Sequence, residues 1–235
     1  RSRKEKVIGD LTGGLAQLAK RRNVQVLQGQ ANFTASNAIE VIQKDSGSQT
    51  LTFDHCILAS GSRPARIPAF DIGSSRVMDS TSALQLEDVP DSLLVIGGGY
   101  IGLEMGTVYA ELGSRVSVVE LTDGLLPGAD QDLVKPLHKR LKGLFEAIRL
   151  NTKVIGLNES GNEVEVSFEG PDGETTEKFS RVLVAVGRRP NSDGIGLENT
   201  NVVVDAKGFV EVDKQQRTSD SHILAIGDVC GEPML

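Results

Sequence analysis

Cysteine is scarce in this sequence of 235 residues, which contains only Cys56 and Cys230 and has no tryptophan. Two cysteines are too few for a disulfide framework or for a zinc site built from four thiolates. We therefore expect a fold without a disulfide scaffold, and no metal site.

Long hydrophobic stretches and an excess of positive charge are also missing. The longest run of apolar residues and glycine covers residues 93–103, whereas a membrane-spanning helix needs about 20 apolar residues. The formal net charge of −7 argues against a dedicated nucleic-acid binder, because phosphate contacts require lysine and arginine. Residues 1–6 are basic, but no apolar segment follows them as in a signal peptide. We expect a cytoplasmic protein with neither a membrane nor a nucleic-acid partner.

The hydrophobic pattern predicts a mixed α/β fold organised in two similar parts. Residues 3–22 have apolar positions at helical spacing, and short alternating runs between Val24 and Phe53 predict an antiparallel meander. A buried strand follows and ends at Ala59. The same order of helix, meander and buried strand then returns and ends at Ala185. Continuous apolar strands of this kind are typical of parallel sheets.

A glycine-rich turn carries the strongest chemical signal in the sequence. It satisfies G-x-G-x-x-G, follows an apolar strand predicted at 93–96 and opens an amphipathic helix, which is the context of a dinucleotide site. The turn consists of Gly97, Gly98, Gly99, Tyr100, Ile101 and Gly102. We expect Gly97 to make the tight turn, Gly99 to let the backbone approach a pyrophosphate, and Gly102 to let helix and strand pack closely. The free N–H groups at the helix start attract phosphates.

Glu120 ends the next predicted strand, about 20 residues beyond the glycine turn, and we expect it to select the cofactor. A carboxylate can accept hydrogen bonds from both hydroxyls of an adenine ribose, and it repels a 2′-phosphate. Residues 121–124 include no base, whereas NADP sites place arginine nearby. The sequence therefore predicts NAD rather than NADP.

Two further strand ends carry candidate ligand contacts. The first comprises Ala185, Val186, Gly187 and Arg188, where glycine allows close approach of a ligand. Arg188 is equally consistent with a phosphate contact and with a surface ion pair. The second is Asp228, at a position where a doubly wound sheet offers its ligand crevice. Asp228 is equally consistent with a helix N-cap.

Several segments together resemble the flavoprotein disulfide reductases with two dinucleotide-binding folds, most closely their dihydrolipoyl dehydrogenase group. The matching segments are residues 11–16, 59–64, 97–109, 225–228 and 231–235. The resemblance covers essentially the whole chain, and the segment that ends at Tyr109 is more specific than the fingerprint alone. It implies an FAD/NAD(P)-binding Rossmann-like α/β fold: a doubly wound domain with a β-meander insertion, plus a partial second copy.

The resemblance also implies residue roles and domain limits. NAD would contact the glycine turn, Glu120, Val154 and residues 185–188. FAD would contact Gly61 and Asp228, with Asp228 accepting from a ribityl hydroxyl. Glu104 would lie near the nicotinamide–flavin junction, where the family pairs it with a lysine that would lie upstream of Arg1. Residues 1–76 would form part of an FAD-binding domain, residues 77–205 the NAD-binding domain, and residues 206–235 a returning segment of the FAD-binding and central domain.

Three motifs of the resembled family are missing from this sequence: its first G-x-G-x-x-G, its redox C-x4-C pair and its dimer domain with a His–Glu acid/base pair. We therefore expect an internal piece of a longer protein, with no catalytic residue of its own and inactive alone. The parent would be a homodimer within 2-oxoacid dehydrogenase complexes. It would oxidise dihydrolipoamide through a redox disulfide and FAD, and reduce NAD.

Two alternatives remain open at this stage. One is a sister enzyme such as mercuric or glutathione reductase, for which a preference for NADPH would speak. The other is a non-catalytic nucleotide-binding module that folds without further domains.

Overall fold

The computed structural model describes residues 1–45 and 47–234. Ser46, which we predicted to lie in a turn, and Leu235, the last residue of the matching tail segment, fall outside the described residues. The chain forms two compact units. The first unit contains Arg1–Arg63 and Arg189–Leu235, and the second contains Pro64–Arg188.

The described residues form four α-helices, fifteen strands and three short 3₁₀ turns. The helices are α1 (Ser2–Arg21), α2 (Ser80–Ala83), α3 (Tyr100–Glu111) and α4 (Gln131–Lys142). The strands are β1 (Gln30–Ala35), β2 (Ala38–Gln43), β3 (Gly47–Thr52), β4 (Cys56–Leu58), β5 (Ser62–Pro64), β6 (Val77–Met78), β7 (Ser92–Ile96), β8 (Arg115–Val119), β9 (Ala147–Arg149), β10 (Lys153–Ser160), β11 (Glu163–Gly170), β12 (Gly173–Phe179), β13 (Arg181–Val184), β14 (Arg188–Pro190) and β15 (Ile223–Ala225). The 3₁₀ turns are Pro68–Phe70, Leu197–Asn199 and Gly227–Val229.

The limits of the two units differ from the domain limits that we expected at residues 76/77 and 205/206. Phe70 packs in one hydrophobic cluster with Leu94 of β7, so residues 64–76 join the second unit. Leu197 packs with Phe33 of β1, so residues 189–205 join the first unit. Packing decides these limits, because each segment buries its apolar side chains in the core of the unit it joins. The expected domain limits and the nucleotide assigned to each domain stay predictions.

The first unit contains an antiparallel meander and a parallel strand pair. The meander has the order β1-β2-β3, and β15 pairs with β4. The first meander strand begins at Gln30, because Val24 and Val26, which we placed in it, are exposed while Phe33 is buried in the core. Helix α1 buries none of its side chains in the described structure.

The second unit is built on a parallel sheet with the strand order β6-β13-β7-β8-β9. All five residues of β7 are buried, and successive side chains point to opposite faces. Leu93 and Val95 pack in the cluster that includes Leu103 and Tyr109 of α3. Leu94 and Ile96 pack in the cluster that contains the meander β10-β11-β12. The sheet is therefore covered on both faces, as an all-parallel sheet requires. The predicted doubly wound α/β fold with a β-meander insertion is confirmed.

Among residues 1–45 and 47–234, no helix combines the length and the apolar character needed to cross a bilayer.

Candidate functional site

Parallel pairing brings three strand ends to one edge of the sheet in the second unit. Strand β7 pairs in register with β8 on one side and with β13 on the other, and the three strands end together. The residues that follow them are Gly97, Glu120 and Ala185. The glycine turn, Glu120 and the segment that begins at Ala185 therefore meet at the edge where open α/β sheets bind their ligands.

Gly97 makes a turn that only glycine can make at this position. Its φ of 112° lies in the left-handed region, and a Cβ there would overlap the backbone carbonyl of Ala185. Gly102, in the first turn of α3, is constrained by packing in the same way, because its Cβ would overlap the carbonyl oxygen of Gly97. These two glycines are required by the protein's own backbone.

Gly99 has a different environment from its neighbours. It is the N-cap residue of α3 with φ of −77°, which any residue can adopt. A Cβ at Gly99 would have no heavy atom within 4 Å. Nothing in the described fold therefore requires glycine here, and the open space lies at a helix N-terminus, where backbone N–H groups attract anions.

Glu120 is buried, with 9% of its surface exposed, and three donors of the protein hold its carboxylate. The N–H of Gly98 donates to Oε2 at 2.6 Å. The N–H and the hydroxyl of Thr122 both donate to Oε1, at 2.9 and 2.8 Å. Glu120 is therefore not a solvated carboxylate at a strand end.

A cavity of about 800 Å³ opens at this edge of the sheet and lies within the second unit. Its volume falls in the range of about 300–1,000 Å³ that is typical of small-molecule sites. Ten of the predicted site residues line it: Gly97, Gly99, Tyr100, Ile101, Glu120, Val154, Ala185, Val186, Gly187 and Arg188. Arg188 thus lies at the cavity. The sequence left two roles open for this residue, a phosphate contact and a surface ion pair.

Five predicted site residues lie elsewhere. Gly98 and Gly102 support the turn without lining the cavity, and Glu104 is exposed on α3. Gly61 and Asp228 belong to the first unit. There the hydroxyl of Ser62 donates to the carboxylate of Asp228 at 2.5 Å.

Asp228 does not cap a helix. The N-cap of the 3₁₀ turn Gly227–Val229 is Ile226, and Asp228 is the second residue within that turn. The N-cap interpretation of Asp228 is therefore wrong, and its contact with a flavin stays a prediction.

Gly61 has φ of 69°, and no heavy atom lies within 4 Å of the position of its missing Cβ.

Sequence reasoning missed four polar residues at the cavity: Ser80, Thr122, Thr152 and Lys153. Thr122 lies two positions after Glu120, the spacing at which Ser and Thr commonly bond to nearby backbone and side-chain groups. Lys153 brings a positive charge to the cavity from the start of β10. Its position directly before Val154, a predicted site residue, was the signal in the sequence that could have indicated Lys153. Lys153 and Arg188 both favour an anionic ligand at the cavity.

The two cysteines lie in the first unit and are free thiols. Burial raises the pKa of both Cys56 and Cys230. A raised pKa keeps a thiol protonated at neutral pH and lowers its nucleophilicity. Among the residues that the structure describes, no three side chains of His, Cys, Asp or Glu are arranged to hold a metal ion.

The sequence of residues 1–235 matches the family model of the pyridine nucleotide-disulphide oxidoreductases over its whole length. The chain belongs to the pyridine nucleotide-disulphide oxidoreductase family. The resemblance seen in the sequence is thereby confirmed at the level of the family and of its fold.

Curated relatives of this chain include dihydrolipoyl dehydrogenases. The protein of that name from Vibrio cholerae is 48% identical over 99% of this chain and 49% of its own length. The one from Haemophilus influenzae is 46% identical over 100% of this chain and 49% of its own length. The chain spans about half the length of the curated relatives it matches.

Solved structures of similar proteins include the HOCl-induced flavoprotein disulfide reductase RclA from Escherichia coli. It superposes with a TM-score of 0.88 at 29% identity, covering 100% of this chain and 52% of RclA. LpdA from Mycobacterium tuberculosis superposes with a TM-score of 0.88 at 25% identity, with the same coverage of 100% and 52%.

Proposed function

We propose that this chain is the NAD-binding portion of a dihydrolipoyl dehydrogenase. The observation that carries the proposal is the arrangement of one cavity, where the N-terminus of α3 with its open Gly99 and the buried carboxylate of Glu120 lie at the same sheet edge. A helix N-terminus suits a pyrophosphate, and a carboxylate at this position suits a ribose with free hydroxyls. The identity of 48% to a protein of that name supports the choice within the family.

Different residues at the cavity contact different parts of the dinucleotide. The N–H groups after Gly99 face the pyrophosphate, and Glu120 accepts from the adenine ribose. Arg188 and Lys153 supply positive charge. The apolar side chains of Ile101, Val154 and Val186 exclude water from the rest of the cavity. NAD, when bound, accepts a hydride at its nicotinamide ring.

The parent protein, on this proposal, oxidises dihydrolipoamide through a redox disulfide and FAD and passes the electrons to NAD. Gly61 and Asp228 contribute to the FAD site, and Glu104 lies near the junction of nicotinamide and flavin. The 235 residues alone do not carry out the reaction, because neither Cys56 nor Cys230 belongs to a C-x4-C pair. By the same resemblance, the parent is a cytoplasmic homodimer that serves a 2-oxoacid dehydrogenase complex.

Calorimetric titration of the purified protein with NADH and, separately, with NADPH tests the nucleotide site. We expect NADH to bind more tightly, because Glu120 repels a 2′-phosphate. Tighter binding of NADPH would instead favour a sister reductase. Binding of neither nucleotide would overturn the proposal for this cavity.

A turnover assay tests the proposed substrate. With dihydrolipoamide and NAD, the parent protein should reduce NAD. The 235-residue chain supplied with FAD should not, and turnover by that chain would contradict the proposed division of the enzyme. A parent protein that binds NADH but fails to oxidise dihydrolipoamide would point to a different disulfide substrate.

A further inference from the structure

Thr122 makes contacts that the proposed function leaves unexplained. Its N–H and its hydroxyl both donate to Oε1 of Glu120, at 2.9 and 2.8 Å. The hydroxyl also lies 3.0 Å from the carbonyl oxygen of Gly124. A hydroxyl has one proton to donate, and a carboxylate is a stronger acceptor than a neutral carbonyl. The proton therefore points to Glu120.

The backbone around Thr122 is held on both sides, so its side chain approaches Glu120 from a fixed position. Its carbonyl accepts from the N–H of Asn151 at 2.9 Å. The N–H of Leu126 donates to the carbonyl of Gly98 at 2.9 Å, which ties the loop after β8 to the glycine turn. The loop, the turn and the carboxylate form one hydrogen-bonded unit.

We propose that Thr122 is a positioning residue for cofactor discrimination, acting through Glu120; this inference rests on the proposed NAD site. The carboxylate has about four acceptor positions, and Gly98 and Thr122 fill three of them. One acceptor position remains on Oε2. It is enough for a hydrogen bond from one ribose hydroxyl while Glu120 keeps all three of its hydrogen bonds to the protein. The expectation that Glu120 accepts both hydroxyls would require the loss of one of these contacts.

The negative charge of Glu120 is thereby fixed at the cavity wall. A side chain held in place cannot turn away from a 2′-phosphate, so the repulsion of NADPH is maintained. Removal of the Thr122 hydroxyl should weaken NADH binding and relax the rejection of NADPH. Thr122 is exposed, so this change opens no void in the core.

The test is a set of affinity measurements for NADH and NADPH on the purified protein. Thr122→Val removes the hydroxyl and keeps the N–H, and we expect NADH binding to weaken about three- to tenfold. The ratio of NADH to NADPH affinity should fall with it. Thr122→Ser keeps a hydroxyl and should restore both values. The matched control, Thr175→Val at an exposed position of strand β12, should change neither value.

A double-mutant cycle separates positioning from a general structural effect. In the Glu120→Ala background, Thr122→Val should have no further effect on either affinity, because the group it positions is absent. An unchanged or tighter NADH affinity of Thr122→Val, in a wild-type protein that binds NADH, would overturn the role of Thr122 and leave the NAD site standing. An equal loss in both backgrounds would also overturn it. A wild-type protein that binds neither nucleotide would overturn the proposed function itself, and this inference with it.

Discussion

The backbone N–H of Gly98 donates a hydrogen bond of 2.6 Å to the side chain of Glu120, which lies 22 positions further along the chain. The bond joins the glycine turn after β7 to the end of β8. It also brings a buried negative charge to the turn that is proposed to receive a pyrophosphate. A hydrogen bond to an ionised acceptor is stronger than one between neutral groups. The contact therefore stabilises the turn in the described structure.

Removal of the Glu120 carboxylate should weaken cofactor binding. We expect Glu120→Ala to reduce NADH affinity by about 1–3 kcal/mol, the scale of a lost hydrogen bond to a charged group. NADPH affinity should fall less or rise, because the repulsion of the 2′-phosphate is lost as well. Calorimetric titration with both nucleotides measures the two effects.

The control for this substitution is Glu174→Ala, an exposed carboxylate on strand β12. It removes the same charge from the protein outside the cavity lining, so it should leave both affinities unchanged. Unchanged NADH binding in Glu120→Ala would remove this residue from the site.

Two glycines in the same turn should respond differently to alanine. Gly102→Ala places a Cβ against the carbonyl of Gly97, so we expect a loss of about 1–3 kcal/mol in the free energy of unfolding. Gly99→Ala meets no protein atom within 4 Å, and stability should change by less than about 1 kcal/mol. NADH affinity of Gly99→Ala should nevertheless fall, because the methyl group enters the space proposed for the pyrophosphate.

Urea unfolding and NADH titration of both variants provide the comparison. Each glycine serves as the control for the other, since the change in side chain is the same. Full NADH affinity in a stable Gly99→Ala protein would mean that no ligand approaches the backbone at this point.

Tyr109 connects α3 to α2 through a buried hydrogen bond. Its hydroxyl donates to the carbonyl oxygen of Ala83 at 2.9 Å, and 1% of the residue is exposed. Burial raises the pKa of Tyr109, so the phenol keeps its proton at neutral pH. Tyr109→Phe should cost about 0.5–1.5 kcal/mol, because the Ala83 carbonyl loses one of its two donors and keeps only the N–H of Leu86. Thermal unfolding measures this loss, and an unchanged Tm would show that the bond contributes nothing to stability.

Asp220 is a second buried carboxylate, and it lies in the first unit with 2% of its surface exposed. Burial alone would raise its pKa. Hydrogen bonds from the Ser36 hydroxyl and from the N–H groups of Asn201 and His222 outweigh burial and lower the pKa. These bonds are 2.5, 3.0 and 3.0 Å long. The carboxylate therefore joins its own loop to the turn that contains Ser36 and to the segment that contains Asn201.

The lowered pKa of Asp220 predicts a pH-dependent contribution to stability. The contribution is fully present above the unfolded pKa of about 3.9, and it is lost as the pH falls through the lower folded value. Asp220→Asn should cost about 1–3 kcal/mol at pH 7, and this difference from wild type should shrink below about pH 4.

Thermal unfolding from pH 3 to pH 7 tests the prediction for Asp220. Asp172→Asn, on the exposed turn between β11 and β12, removes the same charge and should show no such dependence. A Tm difference for Asp220→Asn that stays constant over this range would contradict the role of the charge.

Local patterns in the sequence were sufficient to predict much of the second unit. The apolar run of β7, the glycine turn and the helix that begins at Tyr100 form one continuous segment, so each part is visible beside the next. The repeated order of helix, meander and buried strand predicted the meander of this unit. Elements whose partners are remote in sequence were harder to place. Strand β1 was predicted too early, because burial of Phe33 rather than the exposed Val24 and Val26 decides where it lies.

The sequence also indicated several of the site residues at the strand ends, but it did not indicate how they are arranged in space. The motif indicated Gly97 and Gly102 because turn geometry and helix packing restrict the residue types there, and it indicated Gly99 and Glu120 because of the nucleotide contacts expected at those positions. The role proposed for Thr122 had no clear signal of its own, since a threonine in a loop is common.

The order of residues along the chain thus determined the fold class, the family and ten of the residues that line one cavity. Only the tertiary structure decided where the compact units end, which donors hold Glu120, and that Asp228 lies within a turn rather than at a helix cap. The physical reason is that periodicity and turn chemistry act between near neighbours. Burial and hydrogen bonding also join residues far apart in sequence, and those contacts exist only once the chain has folded.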